Sequence, residues 1–246
     1  MSNVSEHYEN LLAEYYSWMF GDFNERVEAN RSFFVANGIT PQKSGTAIDL
    51  GAGSGFQSLA LAQLGFKVLA VDLSQKLLDE LKNNRGTLPV TTVRDDLLNF
   101  TSHFPSPVEL CVCMGDTLPH LESFDQVTAL FERIYGALAW DGKFVTTFRD
   151  LTLELKGLDR FIPVRSDGNT IFTCFLEYGQ DLVQVHDLVY ARKNDTWEFH
   201  KSSYQKLRLS GEWVLEQLRA AGFTIKSSDN AKSMITIIAE KKTETA

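Results

Sequence analysis

One stretch of the chain constrains the fold more than any other: residues 47–72, which read AIDLGAGSGFQSLALAQLGFKVLAVD. Two short apolar runs, each ending in an acid, flank a glycine-rich turn and a helix-like segment. Such runs, short and partly β-branched, are typical of strands buried on both faces of a parallel sheet. Alternate glycines let the turn adopt positive φ and bring its backbone close to a ligand. The stretch therefore predicts a βαβ unit whose turn and helix N-terminus face a ligand.

The spacing of the glycines narrows the class of ligand. The turn Gly51-Ala52-Gly53-Ser54-Gly55-Phe56 has its third glycine one residue too early for a dinucleotide motif, and Phe56 stands where that motif needs glycine. No Gly-Lys-Ser/Thr triplet follows, which excludes a Walker-type phosphate loop. Asp72 ends the second strand, where an acid accepts hydrogen bonds from ribose hydroxyls. The pattern indicates an adenosine ligand that carries no phosphates.

Strands and helices alternate from this unit to residue 150. Ser74 is placed to cap a helix, a third strand follows Pro89, and a fourth covers residues 108–114. Ser123 and Gln126 are spaced as a capping box before a helix over residues 127–138. A turn at residues 141–142 is predicted to lead into the fifth strand. This alternation is typical of a doubly wound α/β sheet.

The pattern changes between residues 158 and 209. Four β-rich runs alternate there with turn signals at residues 167–169, 179–181 and 193–195, which predicts antiparallel hairpins. After them, Ser210 is predicted to cap a last helix, and two strands over residues 223–239 are joined too tightly to be parallel. We expect a single domain over residues 1–246, made of a helical cap (1–40), a core (41–150), an antiparallel β lid (158–209) and a C-terminal helix with a hairpin (210–246).

Charge and cysteine usage exclude several kinds of partner. The net charge is −8 and no basic cluster offsets it, so neither nucleic acid nor an anionic membrane is an expected partner. No run of about 18 apolar residues predicts a transmembrane span, and the acidic N-terminus does not read as a secretory signal. Cys111 and Cys113 lie two apart in one apolar run, which predicts buried thiols in a reducing cytoplasm and no metal site.

These motifs resemble those of the class I S-adenosylmethionine-dependent methyltransferases over about residues 40–150. The likeness rests on the glycine-rich stretch, on RDDL at 94–97 and on CMGDTLPHL at 113–121. It implies a mostly parallel, seven-stranded Rossmann-like sheet with an antiparallel last strand. It also implies S-adenosylmethionine as cofactor, S-adenosylhomocysteine as product, and a cofactor site formed by Asp49, Gly51, Ala52, Gly53, Gly55, Asp72, Leu73, Asp95, Asp96, Leu97, Met114, Gly115 and Asp116.

The N-terminal segment YENLLAEYYSWM is similar to the helix of this family whose tyrosines cover the cofactor and substrate. By that resemblance Tyr8 contacts the cofactor and Tyr16 faces the acceptor. The alternative is that these amphipathic helices only cover an edge of the sheet. Of the neighbouring acids Asp95 and Asp96, one is expected to be a solvated strand end, because adjacent strand residues point to opposite sides.

Methyl transfer from a sulfonium is a direct displacement, so it needs alignment and, for some acceptors, removal of a proton. His120 and Tyr16 are the candidates for a base or for acceptor positioning. Arg149, at the end of the fifth strand, is suited to hold a substrate carboxylate. Each has a structural alternative: His120 as an ordinary loop histidine, and Arg149 in a surface ion pair with a neighbouring acid.

The residues after the fourth strand, Gly115-Asp116-Thr117-Leu118, lack the N/D-P-P-Y signature of enzymes that methylate amide or base nitrogen. With the acidic charge, this favours a small-molecule acceptor with an O or N nucleophile. The β lid resembles those of glycine-type and natural-product methyltransferases in its placement. Two alternatives stay open, an NAD(P)-linked oxidoreductase and a non-catalytic nucleotide-binding module. The oligomeric state is also open, with a dimer among the options.

Overall fold

The structure is a computed structural model that describes residues 12–104, 107–231 and 234–242. Tyr8 lies outside these residues. The helices are α1 (Ala13–Phe20), α2 (Phe23–Ala36), α3 (Phe56–Gln63), α4 (Gln75–Asn84), α5 (Phe124–Ala137) and α6 (Gly211–Ala220). The strands are β1 (Thr46–Leu50), β2 (Lys67–Asp72), β3 (Val90–Arg94), β4 (Val108–Cys113), β5 (Leu138–Arg149), β6 (Phe161–Ser166), β7 (Thr170–Tyr178), β8 (Leu182–Lys193), β9 (Thr196–Leu207), β10 (Thr224–Ala231) and β11 (Met234–Glu240).

A seven-stranded sheet forms the centre of the molecule, in the order β10-β11-β5-β4-β1-β2-β3. Strands β1 to β5 pair in parallel, whereas β11 runs antiparallel to both of its neighbours. This confirms the predicted doubly wound, mostly parallel sheet with an antiparallel last strand. The strand order reverses between β1 and β4, and in open α/β sheets such a switch point opens a crevice at the carboxyl ends of the strands.

Helices cover both faces of this sheet because its strands are apolar on both sides. Ile48 belongs to a cluster that α5 and α6 cover, whereas its neighbour Ala47 belongs to a cluster covered by α2, α3 and α4. Burying one aliphatic side chain of this kind contributes about 1.5–3 kcal/mol to folding. The two clusters therefore hold the carboxyl ends of the strands rigidly in place. None of the helices in the described ranges is long and apolar enough to cross a membrane.

A second sheet, in the order β6-β7-β8-β9, is entirely antiparallel, and its hairpin turns fall where the sequence predicts them. Alternate residues of β8 are buried, among them Val185, Asp187 and Val189. Phe172 and Val189 on this inner face pack against Leu12 of the N-terminal segment and against aromatic residues of α1. The N-terminal helix thus covers part of the inner face, and another part packs against Leu151 and Leu155.

The start of β5 differs from the prediction. Asp141 and Gly142 do not form a turn ahead of the strand, because β5 already begins at Leu138. The register against β4 shifts there, with Val108 opposite Leu138 and Leu110 opposite Lys143. Asp141 adopts a positive φ of 60° within this irregularity. A β-bulge can absorb turn-like residues without ending a strand, and local turn chemistry does not distinguish the two cases.

Candidate active site

A cleft with about 870 Å³ of empty space opens at the carboxyl ends of β1 to β4. Ten of the residues predicted for the site lie in its wall. The lining residues are Tyr16, Gly51, Gly53, Asp72, Leu73, Ser74, Leu77, Asp95, Asp96, Leu97, Gly115, Thr117, His120, Leu121, Glu122 and Gln126.

The glycine-rich turn forms the floor of the cleft in a conformation that favours glycine. Gly51 has a φ of 73°, and a Cβ at this position would lie 2.2 Å from Cγ2 of Thr117. Its backbone N–H donates to the carbonyl of Val71 at 2.8 Å, which joins the ends of β1 and β2. A side chain at Gly51 would displace Thr117, which also lines the cleft. The cleft wall therefore depends on glycine at this position.

Asp72 organises the turn from the end of β2. One carboxylate oxygen accepts the backbone N–H of Gly53 at 2.8 Å, and the other accepts that of Ser74 at 2.8 Å. Each carboxylate oxygen has two lone pairs and can accept more than one hydrogen bond. The carboxylate therefore both fixes the backbone around it and presents acceptors to the cleft.

Asp95 and Asp96 follow β3 and both line the cleft, where Asp95 is partly buried and Asp96 is exposed. β3 ends at Arg94, so the strand alternation does not extend to them. Asp96 caps the following 3₁₀ helix by accepting the backbone N–H of Leu98 at 2.8 Å. Hydrogen bonds from Asn99 and His103 lower the pKa of Asp95, which keeps its carboxylate ionised.

Four residues predicted for the cofactor site lie behind its wall. Asp49 is buried and accepts a hydrogen bond from the hydroxyl of Ser58 at 2.6 Å. Burial raises the pKa of Asp49 to about 7. A Cβ on Gly55 would lie 2.1 Å from Cδ1 of Leu81, so this glycine allows α3 and α4 to pack closely. Ala52 and Met114 are buried in the same core cluster.

Tyr16 of α1 covers the turn. A Cβ on Gly53 would lie 3.2 Å from the Tyr16 ring, and this ring stacks on Phe56 with centroids 6.4 Å apart. Burial, with the nearby Asp72 and Asp49 carboxylates, raises the pKa of the Tyr16 phenol well above its ordinary value. The phenol stays protonated at neutral pH, so Tyr16 can cover and donate but is a poor base. Tyr15 and Trp18, on the same helix, pack instead against the second sheet.

His120 lies at the end of a short 3₁₀ helix (Leu118–His120) that follows β4, and it lines the cleft. Its ring stacks on Tyr204 of β9, with centroids 5.2 Å apart and planes 25° apart. This contact joins the core of the molecule to the inner face of the second sheet. His120 is therefore oriented by a residue that lies far from it in sequence.

Asp116 and Arg149 lie next to the cleft instead of lining it, and only Asp116 is buried. Asp116 accepts the backbone N–H of Arg149 at 2.8 Å and pairs with the ammonium of Lys206. The guanidinium Nε of Arg149 lies 3.8 Å from the Asp116 carboxylate, while 56% of the Arg149 side chain is exposed. Arg149 thus contacts Asp116, whose side chain is only 10% exposed, and this contact is not the surface pair with Asp150 or another neighbouring acid that the sequence offers as the alternative.

Six lining residues are absent from the predicted site. Ser74 and Thr117 directly follow predicted site residues, so this adjacency in the sequence could have identified them as part of the site. Leu77, Leu121 and Glu122 carry no comparable signal. Gln126 is predicted only as half of a capping box; its backbone N–H does donate to Ser123, but its side chain accepts from the backbone of Glu122. Tyr204 and Lys206 contact residues of this site from the second sheet, and neither belongs to a recognisable sequence motif.

The charge of the wall decides which cofactor it fits. Four of the lining residues are acids, and no lysine or arginine is among the described residues that line the cleft. A diphosphate would meet carboxylates without cations, which is unfavourable. An adenosine group linked to a positively charged sulfonium carries no such phosphates and is compatible with the same wall.

Comparison with known proteins agrees with this fit. Residues 47–142 match the family described as a methyltransferase domain. A glycine/sarcosine N-methyltransferase from Aphanothece halophytica is 26% identical over 61% of this chain and 58% of its own length. An rRNA adenine N-6-methyltransferase from Corynebacterium diphtheriae is 32% identical over 42% of this chain and 37% of its own length. The chain thus spans about half the length of these curated relatives.

Solved structures share the fold over nearly the whole chain. An S-adenosylmethionine-dependent methyltransferase from Clostridium acetobutylicum superposes with a TM-score of 0.74, at 16% identity, over 98% of both chains. CalS10, an amino pentose methyltransferase from Micromonospora echinaspora solved with its cofactor bound, superposes with a TM-score of 0.72, at 13% identity, over 93% of this chain and 96% of its own. Residues 47–142 thus match a methyltransferase domain, and the chain shares its fold with solved S-adenosylmethionine-dependent methyltransferases.

Proposed function

We propose that this protein methylates an amine nitrogen of a small-molecule acceptor. The observation that carries the proposal is the cleft, whose wall holds four acids and, among the described residues, no lysine or arginine. When bound, S-adenosylmethionine supplies an electrophilic methyl group on a sulfonium cation. A wall of carboxylates favours a cationic ligand over the pyrophosphate of NAD(P). The charge of the wall therefore favours a methyltransferase over an NAD(P)-linked oxidoreductase.

The lining residues divide into three roles in this proposal. Asp72 binds the ribose, and the segment Asp95 to Leu97 flanks the adenine. Tyr16 covers the turn and excludes water, as its stacking on Phe56 supports. His120 accepts a proton from the acceptor, because an ammonium must lose its proton before its nitrogen can attack. The Tyr204 ring holds the imidazole of His120 in one orientation.

The nature of the acceptor is argued from relatives and from charge. Two of the similar proteins are named for methylation of glycine and sarcosine or of an amino pentose, which supports an amine acceptor. Arg149, with more than half of its side chain exposed, is suited to pair with an acceptor carboxylate. The rRNA-methylating relative raises nucleic acid as a second candidate. The net charge of −8 and the acidic cleft oppose it.

The division into a cap, a core, a lid and a C-terminal part stays a prediction, as does the cytoplasmic location. In the proposal, the β6–β9 sheet acts as the lid that surrounds the acceptor. The contacts of β9 with His120 and Asp116 support this role.

Binding and turnover test the proposal separately. We expect calorimetry to give a Kd of about 1–100 μM for S-adenosylhomocysteine and no measurable heat for NAD⁺. Transfer of a labelled methyl group is then measured to glycine, sarcosine, an amino sugar and RNA. Binding of NAD⁺ alone would favour the oxidoreductase. Cofactor binding without transfer to any acceptor would favour the non-catalytic module, and transfer to RNA alone would refute the small-molecule acceptor.

The role of His120 has its own test. His120→Ala is expected to lower kcat/KM by about 10²–10⁴-fold, the range for loss of a general base, and to remove one limb of the pH profile. His200→Ala is the control, since His200 lies on β9 and does not line the cleft. If His120→Ala retained the wild-type kcat/KM at every pH, the base would have to be sought elsewhere.

A further inference from the structure

The second sheet contacts the cofactor cleft through two side chains of β9. Tyr204 and Lys206 are two residues apart on one strand and therefore point to the same side of the sheet. Both are buried, with 6% and 8% of their surface exposed. Tyr204 stacks on His120, and Lys206 pairs with Asp116. β9 thus contacts both ends of the segment 116–120, which follows β4.

Asp116 has an unusual backbone conformation. Its φ is 74°, in the left-handed region that residues other than glycine adopt uncommonly, although aspartate does so more readily than most. Three contacts hold it there: its N–H donates to the carbonyl of Thr147 at 3.0 Å, and its carboxylate accepts from the N–H of Arg149 at 2.8 Å and from the ammonium of Lys206. Such a conformation persists where the surroundings over-determine it. Lys206 is the only one of the three partners that comes from the second sheet.

The position of Asp116 determines the shape of the cleft wall. Gly115 donates its N–H to the hydroxyl of Thr147 at 2.8 Å, and the hydroxyl of Thr117 donates to the carbonyl of Met114 at 2.9 Å. The methyl group of Thr117 in turn occupies the space above Gly51. Since Gly115 and Thr117 line the cleft on either side of Asp116, a shift of Asp116 changes the wall where the cofactor is proposed to bind.

The Asp116–Lys206 pair is shielded from solvent. Only 10% of each side chain is exposed. Removing one partner of such a pair leaves an uncompensated buried charge, whereas removing both is often tolerated. Arg149 is a poor substitute for Lys206, because its Nε lies 3.8 Å from the carboxylate and its side chain extends into solvent.

We infer that Lys206 is a positioning residue for the methyl-transfer site. Its ammonium holds Asp116 in place and thereby sets the wall formed by Gly115 and Thr117. The inference rests on the proposed function in one respect, that the cleft binds S-adenosylmethionine. It assigns a part of the cofactor site to the second sheet, through a contact between residues 90 positions apart.

Four variants and one probe ligand test this inference. Calorimetry with S-adenosylhomocysteine should give about tenfold weaker binding for Lys206→Met, the size expected from losing about 1.4 kcal/mol. Lys206→Arg keeps the charge and should bind within about threefold of wild type. Lys201→Met is the matched control, because Lys201 lies on the opposite, exposed face of β9. The double variant Asp116→Asn/Lys206→Met should bind more tightly than Lys206→Met alone.

The increase in Tm caused by S-adenosylhomocysteine separates positioning from general stability. A purely structural role would lower Tm with and without the ligand and leave the increase unchanged; the inferred role reduces the increase for Lys206→Met and restores it for Lys206→Arg. If Lys206→Met does not fold, the increase in Tm is compared instead between wild type, the double variant and Lys206→Arg.

The outcomes separate this inference from the proposed function. Wild-type protein that fails to bind S-adenosylhomocysteine would overturn the proposed function, and this inference with it. Wild-type binding together with unchanged binding by Lys206→Met would overturn this inference alone. The same follows if Lys206→Arg is as impaired as Lys206→Met, or if the double variant binds no more tightly than Lys206→Met alone.

Discussion

Two parts of the site are built from contacts of different range: the first wall, formed by β1, β2 and β3, and the contacts of the second sheet with the core, called here the second wall. On the wall formed by β1, β2 and β3, Asp72 binds the backbone of Gly53, 19 residues away, and of Ser74, two residues away. On the side of the second sheet, Lys206 pairs with Asp116 across 90 residues, and Trp18 donates to Asp167 across 149. The first wall can therefore be recognised as a motif, whereas the second exists only once the chain has folded.

The walls also differ in the groups that form them. The first is formed by backbone N–H groups and by glycines such as Gly51, which have no side chain. Most substitutions at these glycines would place a side chain where there is no space for it. The second uses side-chain pairs such as His120 with Tyr204, which can be exchanged together. We therefore expect single substitutions to be more damaging on the first wall and coupled pairs to be found on the second.

The largest effect is expected for Asp49→Asn, beneath the first wall. The native pKa of Asp49 is raised to about 7 by burial, so the native state holds this proton up to about pH 7, while the unfolded chain releases it near pH 4. Wild-type stability is lowered progressively as pH rises through this window. Asp49→Asn should remove this dependence, which amounts to roughly 4 kcal/mol at about 1.4 kcal/mol for each pH unit of the window.

Urea unfolding at several pH values between about 4 and 8 measures this effect as the difference between the variant and wild type. Asp95→Asn is the control, because the pKa of Asp95 is lowered, so its ionised form stabilises the native state and its contribution is lost as pH falls. The two variants should therefore differ from wild type with opposite dependence on pH. Parallel curves for wild type and Asp49→Asn would contradict the raised pKa.

The next largest effect is expected for Gly51→Ala. Strain from positive φ and contact with Thr117 should together lower the free energy of unfolding by about 3 kcal/mol. Gly86→Ala separates the two causes, because Gly86 also has a positive φ, 54°, but no atom of the described residues lies within 4 Å of the place that its Cβ would take. Thr117→Ala in the Gly51→Ala background should recover part of the loss. Equal losses for Gly51→Ala and Gly86→Ala would show that contact with Thr117 is unimportant.

Asp72→Ala should weaken binding of S-adenosylhomocysteine by roughly thirtyfold, or about 2 kcal/mol, because it removes a charged acceptor from the turn. Asp79→Ala is the control, since 56% of the Asp79 side chain is exposed and Asp79 is not among the lining residues. Calorimetry measures both. Wild-type affinity in Asp72→Ala would remove this acid from the proposed ribose site.

The smallest effect is expected for Trp18→Phe, on the side of the second sheet. It removes the hydrogen bond from Trp18 to Asp167, 2.7 Å long, and should cost about 1 kcal/mol. Trp197→Phe, at an exposed position on the outer face of the same sheet, should have almost no effect. A double-mutant cycle with Asp167→Ala, which removes the acceptor, tests the pairing, and strictly additive losses would show that the two side chains do not interact.

Much of the fold can be predicted because its signals are local. The alternation of apolar runs and turns predicts the sheet, and Ser74, Ser123 and Ser210 all cap helices as expected. The bulge at Asp141 escapes prediction, because a bulge and a turn use the same residues. The family resemblance assigns Gly55 to the cofactor, although its space is occupied by Leu81, which no pattern within the turn indicates.

The sequence by itself determined the cofactor-binding half of this protein. Asp72, Gly51 and Gly53 act through backbone geometry within one βαβ unit, and the residue types that such a turn requires are few. The tertiary structure alone decided the other half: that Lys206 faces Asp116, that Tyr204 stacks on His120, and that Arg149 pairs beside the cleft. The physical reason is that side-chain pairing across a folded core depends on distance in space, which the order of residues along the chain does not specify.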